Sequence, residues 1–279
     1  MRRLWASVVL VLPAALIYVG LFVAAATYFF ILSFWSVKNY RIVPSFTIAN
    51  YVKTFSTYWG SAATTLLMAF AIATAATLIG FFYAWLIRFR AGPLAPAMLF
   101  AALITLFGGY LMKIYAWKTM LGESGAINSA LMWLGVIRNP IQALLYSPTA
   151  VIMTLTHFLL PFAILPIVAS LRGIADAEID AARDLGATPF EVLRDIVIPR
   201  ARPGIVAGFA LCFLIAVGDY LTPLLVGGTM AMVGQLIAPQ FGTFFNWPLG
   251  AAMSFSILGL SLIVLAVVGG ALSRIGRMA

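Results

Sequence analysis

The side chains able to do chemistry are few, and most of them are gathered in one place. Six of the eight carboxylates, Asp176, Glu178, Asp180, Asp184, Glu191 and Asp195, fall between residues 176 and 195. Asp219 stands apart, in an apolar stretch beside Tyr220. His157 is the only histidine and Cys212 the only cysteine. One cysteine permits neither an internal disulfide nor a Cys-based metal site. Isolated His and Asp residues give no acid–base or nucleophile constellation. No catalytic residue, no metal ligand and no bound cofactor is therefore expected. No G-x-x-x-x-G-K-[ST] phosphate loop occurs, so ATP hydrolysis by that route would belong to another chain.

Asp219 invites a specific chemistry. A charge near the centre of a bilayer costs roughly 3 kcal/mol or more, so such a group faces a cavity or a partner. Beside Tyr220 the carboxylate could take an ammonium group by ion pairing and cation–π contact. The other open reading is an Asp that hydrogen-bonds a neighbouring helix or sits near the interface. Tyr51, Tyr110, Tyr115 and Trp117 are further candidate contacts, or members of the interfacial aromatic belt. His157 lies in an apolar stretch near prolines, where a packed residue bonded to a neighbouring helix is expected rather than a proton relay.

The elements that must carry these residues are set by composition. The chain has 279 residues, 63% hydrophobic and 9% charged, far from the balance of a soluble domain. A bilayer-crossing helix needs about 20 largely apolar residues. Six segments qualify: Val8–Phe34, Ala62–Ile87, Leu94–Met112, Thr149–Leu171, Gly204–Val226 and Leu249–Leu272. Pro161 and Pro166 should kink the fourth. Arg2, Arg3 and Ala24-Ala25-Ala26 have the look of a secretory signal, but the apolar run continues through Phe34, and an uncleaved first helix is expected. The fold class expected is an all-α integral membrane protein forming a single domain over residues 1–279.

The formal charge of +9 does not point to nucleic acid, because the basic residues flank apolar segments and form no aromatic-interleaved patch. With the N-terminus inside, Arg2, Arg3, Arg88, Arg90, Arg172, Arg183, Arg194, Arg200, Arg202, Arg274 and Arg277 all face the cytoplasm. Lys38, Arg41, Lys53, Lys113, Lys118 and Arg138 fall on the other side. Both termini are thus expected in the cytoplasm. The uncharged segment from Gly227 to Pro248 is expected outside, re-entering the membrane or covering the mouth of a pathway. Gly204 and Gly208 form a Gly-x-x-x-Gly pair suited to close helix packing.

The acidic loop, residues 172–203, has internal order. Ala177, Ala181 and Leu185 define one narrow apolar helical face, and Asp176, Asp180 and Asp184 an acidic one. Gly186 suits a left-handed C-terminal cap. Thr188, Pro189 and Glu191 read as a capping box that restarts a helix. Pro199 and Pro203 mark the approach to the fifth span. A solvated connector needs neither this length nor two capped helices joined by a tight turn; a rigid knob for docking another protein does.

Asp180-Ala181-Ala182, then Gly186, then Ile196-x-Ile198-Pro199, resembles the EAA signature of ABC importer permeases, E-A-A-x-x-x-G, nine residues, I-x-L-P, with Asp for Glu and Ile for Leu. Asn50-Tyr51, Ile114-Tyr115-Ala116-Trp117, Leu160-Pro161-Phe162 and Asn246-Trp247-Pro248-Leu249-Gly250 are similar to segments of the spermidine/putrescine permease branch. So is Ala181-Ala182-Arg183-Asp184-Leu185-Gly186-Ala187. One segment departs: Phe107-Gly108-Gly109-Tyr110 stands where that branch often has a tryptophan.

The resemblance implies the six-helix type I importer permease fold in a bacterial inner membrane. It makes Asp180, Ala181, Ala182 and Gly186 the residues that dock a separate ATPase dimer, which would bind ATP and Mg. It further implies a second, unlike permease, a periplasmic binding protein, and a small cationic solute such as a polyamine. Another small organic solute is the alternative. An ion-coupled secondary transporter is a distant one, because no coupling-ion site beyond Asp219 and no clear repeat is visible.

Overall fold

The computed structural model describes the backbone of residues 11–275 and the side chains of residues 11–271. Arg2, Arg3, Arg277 and the first residues of the Val8–Phe34 span lie outside the described residues, as does the side chain of Arg274. Among the described residues, five helices are long and apolar enough to cross a membrane. They are α1 (Val11–Leu32), α3 (Trp59–Phe89), α7 (Pro148–Arg172), α9 (Pro189–Gly218) and α12 (Trp247–Ile275). A sixth candidate exists only as a bent pair, α4 (Ala95–Phe107) followed by α5 (Tyr110–Leu121) and α6 (Ala126–Trp133), with an angle of 100° at the break.

That break corrects the third expected span, Leu94–Met112, which is not one helix. Gly108 and Gly109 adopt ψ of 134° and 136°, outside the helical range. Two adjacent glycines are the least helix-prone pair short of proline, and the chain turns where they stand. The fifth span is also redrawn. Gly204–Val226 was expected, but α9 begins at Pro189 and ends at Gly218. Asp219 is extended, and the chain restarts as the short α10 (Leu221–Val226). Pro199 and Pro203 lie inside α9, and a π-helical stretch, Val192–Val197, comes immediately before them. A widened turn relieves a position where proline offers no N–H and crowds the preceding carbonyl. Pro161 and Pro166 likewise sit inside a continuous α7.

Among the described residues, one hairpin interrupts the helices. β1 (Ser36–Lys38) and β2 (Arg41–Val43) pair antiparallel, Ser36 opposite Val43 and Lys38 opposite Arg41. The linking residues Asn39 and Tyr40 have φ of +48° and +58°, the two-residue turn whose twist matches a hairpin. α2 (Ala49–Thr57) follows.

The chain packs as two compact units. One comprises the residues through Gly60 with Leu236–Gly259; the other comprises Ser61–Gln235 with the residues from Leu260 onward. In the first, Asn50 donates to the carbonyls of Ser33 and Trp35, tying α2 to the end of α1. The Gly227–Pro248 segment carries a helix, α11 (Val233–Gly242), whose Phe241 packs edge-on against Phe29 at 6.1 Å. In the second unit, α9 lies against α7 through the predicted glycine pair. A Cβ on Gly204 would overlap the backbone of Pro166 and Ile167, and one on Gly208 would stand 3.1 Å from the Ala163 Cα. The apolar core of this unit runs from Ala84 and Ile87 through Ala102, Ile164 and Leu171 to Ile179, Val192 and Val197.

Candidate functional site

The acidic loop folds as two helices around one glycine. α8 (Asp176–Asp184) carries Asp176 and Glu178 in its first turn and Arg183 in its last, each favourable to the helix dipole. Leu185 closes it and Gly186 reverses the chain at φ +87°. The capping box then opens α9: the Thr188 hydroxyl accepts from the Glu191 N–H, and the Thr188 N–H donates to the Glu191 carboxylate at 2.7 Å.

Three ties fasten the loop to the body of its unit. Ile179 of α8 is buried with Val192 and Val197 in the core just described. Arg88, near the end of α3, donates to the Ile174 carbonyl at 2.9 Å and pairs with Asp176 at 2.6 Å. Arg200 pairs with Glu178 at 2.7 Å. The stripe of Ala177, Ala181 and Leu185 therefore points the other way: all three are exposed, Leu185 by 89%, and Phe190 beyond the turn by 67%. Asp180 is exposed with Arg183 at 3.6 Å, while Ala182 is half-buried against the core. Asp180, Ala181, Ala182 and Gly186 thus share one small protruding element, and its free face is apolar as well as acidic.

A second constellation forms where the two helix breaks meet. Asp219 is buried. Its Oδ1 accepts from the N–H groups of Leu221 at 3.0 Å and Thr222 at 3.4 Å, capping α10. Its Oδ2 is buried without a hydrogen-bond partner. Tyr110, the first residue after the Gly108-Gly109 break, shares a 2.8 Å hydrogen bond with the Thr222 hydroxyl and packs on Phe158 at 4.8 Å. The Trp117 indole donates to His157 Nδ1 at 3.2 Å. His157 is thus a packed residue bonded to a neighbouring helix.

The other candidates separate from this group. Tyr220 is partly exposed and covers Gly234 with its Cβ. Tyr115 is 53% exposed on the outer side of α5. Tyr51 belongs to the first unit, where its hydroxyl bonds Ser33 at 2.7 Å and its ring meets Phe34. Sequence reasoning missed Thr222, Phe158 and Lys113. Lys113 was expected on the side opposite the cytoplasm; it lies within α5, with its ammonium on the Thr105 carbonyl and over Phe158. The signal for it was present: Lys113 stands three residues after Tyr110, hence on the same helical face.

Residues 89–275 match the model of a family described as binding-protein-dependent transport system inner membrane component. The chain is 34% identical over 224 residues to the spermidine/putrescine transport system permease protein PotB of Escherichia coli (strain K12), covering 78% of this chain and 81% of that one. It is 33% identical over 232 residues to the protein of the same name from Haemophilus influenzae, with 82% and 80% covered. Its fold is similar to a chain in the crystal structure of a bacterial ABC transporter involved in the import of the acidic polysaccharide alginate. That likeness has a TM-score of 0.73 at 16% identity and covers 98% and 96% of the two chains.

Proposed function

Because the chain belongs to the family of binding-protein-dependent transport system inner membrane components, we propose that α8 and the start of α9 are its coupling element and that Asp219 lies on its translocation path. The chain is a permease subunit of an ABC importer, a multi-pass protein of the inner membrane and a transport component rather than an enzyme. In this reading the bent pair counts as one span, making six, with both termini in the cytoplasm. ATP and Mg bind on an ATPase dimer. A second, unlike permease completes the path, and a periplasmic binding protein delivers the solute. The solute is a polyamine, the cargo in the names of the two relatives.

The observation that carries this is the pairing of a free apolar face with a fixed base. Leu185 and Phe190 stand exposed on an element whose opposite side, Ile179 and Val192, is sealed into the core of the spans. A push on that face cannot be absorbed locally. α9 runs from Pro189 to Gly218, 30 residues with a π-helical turn at Val192–Val197, and so conveys it over about 45 Å to the residue before Asp219. Closure of the ATPase dimer would then move the whole helix and switch the path between its two openings, a rigid-body transition of the kind transporters use.

The test is reconstitution with the ATPase, the second permease and the binding protein in liposomes. ATP-dependent uptake of labelled spermidine or putrescine is expected. Leu185→Asp combined with Phe190→Ser should release the ATPase during purification and abolish uptake. A doubly substituted complex that keeps its ATPase and imports at the native rate would overturn the coupling role.

A further inference from the structure

Lys113 is an ammonium drawn among the helix ends, and its surroundings are those of a bound cation. It donates to the Thr105 carbonyl, in the last turn of α4, and stands 5.0 Å from the centroid of the Phe158 ring. That turn has carbonyls without helical partners and carries the negative end of the helix dipole. The ring face offers the negative part of an aromatic quadrupole. Lys113 makes no ion pair among the described residues. Its stem passes over Gly108, where a Cβ would stand 3.0 Å from the lysine Cε, so the glycine break makes its room. Phe158 also packs on Tyr110, whose hydroxyl bonds Thr222 in the turn capped by Asp219.

We propose that the Thr105 carbonyl and the Phe158 face form a second ammonium subsite of the translocation path, and that Lys113 is its tethered occupant, displaced when a transported amine arrives. This rests on the polyamine reading. A solute with two or more ammonium groups on a flexible chain can place one at the unpartnered Oδ2 of Asp219, once that buried oxygen is uncovered, and another at Phe158. A zwitterionic solute would need the Lys113 ammonium turned towards an anion. Instead it is seated on a carbonyl and a ring face, both of which bind cations.

The test uses this chain in complex with its second permease and ATPase, purified without binding protein, as native, Lys113→Met, Lys113→Gln and Asp219→Asn forms. Equilibrium binding of labelled spermidine and putrescine is measured on each. Both Lys113 variants should bind spermidine about tenfold more tightly than native, the gain for a subsite otherwise free in about one molecule in ten. Asp219→Asn should bind more weakly. If Lys113→Met does not assemble, the polar Lys113→Gln carries the same expectation. Unchanged affinity in the assembled Lys113 variants overturns the proposal, and weakened affinity overturns it in favour of an anion-binding lysine. If the native complex, reconstituted with its binding protein in liposomes, imports polyamine while the Lys113 variants bind as native does, the subsite falls and the polyamine reading stands. If it imports none, both fall.

Discussion

The two oxygens of Asp219 have different surroundings, and substitution can separate what each does. Oδ1 accepts from two backbone N–H groups and starts α10; Oδ2 is buried and unpartnered. Asn keeps a cap acceptor and removes the charge, whereas Ala removes both. Asp219→Asn should therefore assemble normally but lose spermidine uptake about tenfold or more, the worth of one charge-assisted hydrogen bond. Asp219→Ala should lose uptake equally and in addition about 1 kcal/mol of stability from the missing cap, read as a lower unfolding temperature in detergent. Equal uptake by native and Asn complexes would remove Asp219 from the path. Gly186 poses a purely conformational question. A Cβ there would meet nothing within 4 Å, but φ is +87°. Gly186→Ala should cost about 1–2 kcal/mol through the left-handed backbone alone. Asn, which tolerates that region, should retain most of the native import rate.

Among the elements, α8 shows what local sequence reveals and what it leaves out. Gly186, Thr188, Pro189 and Glu191 act on backbone groups within a few residues, so the two-helix loop and its turn were legible from spacing. The direction of the Ala177–Leu185 stripe was not, because periodicity defines a face without saying what it meets. Only the burial of Ile179 reveals that the stripe looks outward. The spans show the same division. Apolar length located the five long helices, while the kinked third element and the early start of α9 depended on backbone preferences of Gly108, Gly109 and Pro199 that hydropathy ignores. Tyr110 and Thr222 are remote in sequence, and their hydrogen bond is made by packing alone. Arg88 tests whether α8 acts as a rigid part. It holds the Ile174 carbonyl and Asp176 from α3. In Arg88→Gln the exposed docking face is untouched, so the ATPase should still co-purify, while import falls severalfold because the push is partly lost in a loosened base. If import and ATPase binding fall together in proportion, the arginine supports docking and not transmission.

For the molecule as a whole, the sidedness of the second unit decides whether α8 can meet a cytoplasmic ATPase at all. α7 separates the loop after α6 from the loop before α9, so the two lie on opposite faces of the membrane; with a cytoplasmic N-terminus, counting the bent pair as one span puts α8 in the cytoplasm, and counting it as a re-entrant excursion puts α8 outside. Cys212 makes the distinction accessible. It is the only cysteine and is fully buried, so a single introduced thiol reports without background. Val136, 66% exposed after α6, and Leu185, 89% exposed at the turn, are suitable positions. In spheroplasts a membrane-impermeant maleimide should label Val136→Cys at once and Leu185→Cys only after permeabilisation. The reverse pattern, Leu185→Cys labelled at once and Val136→Cys only after permeabilisation, would mean that the pair does not cross. The chain would then have five spans, and its two termini would lie on opposite faces. The excess of arginine around α8 argues for the first outcome, since positive residues are held on the cytoplasmic side. Arg88, Arg90, Arg183, Arg194 and Arg200 lie in or beside this element, whereas the loop after α6 carries Arg138 alone.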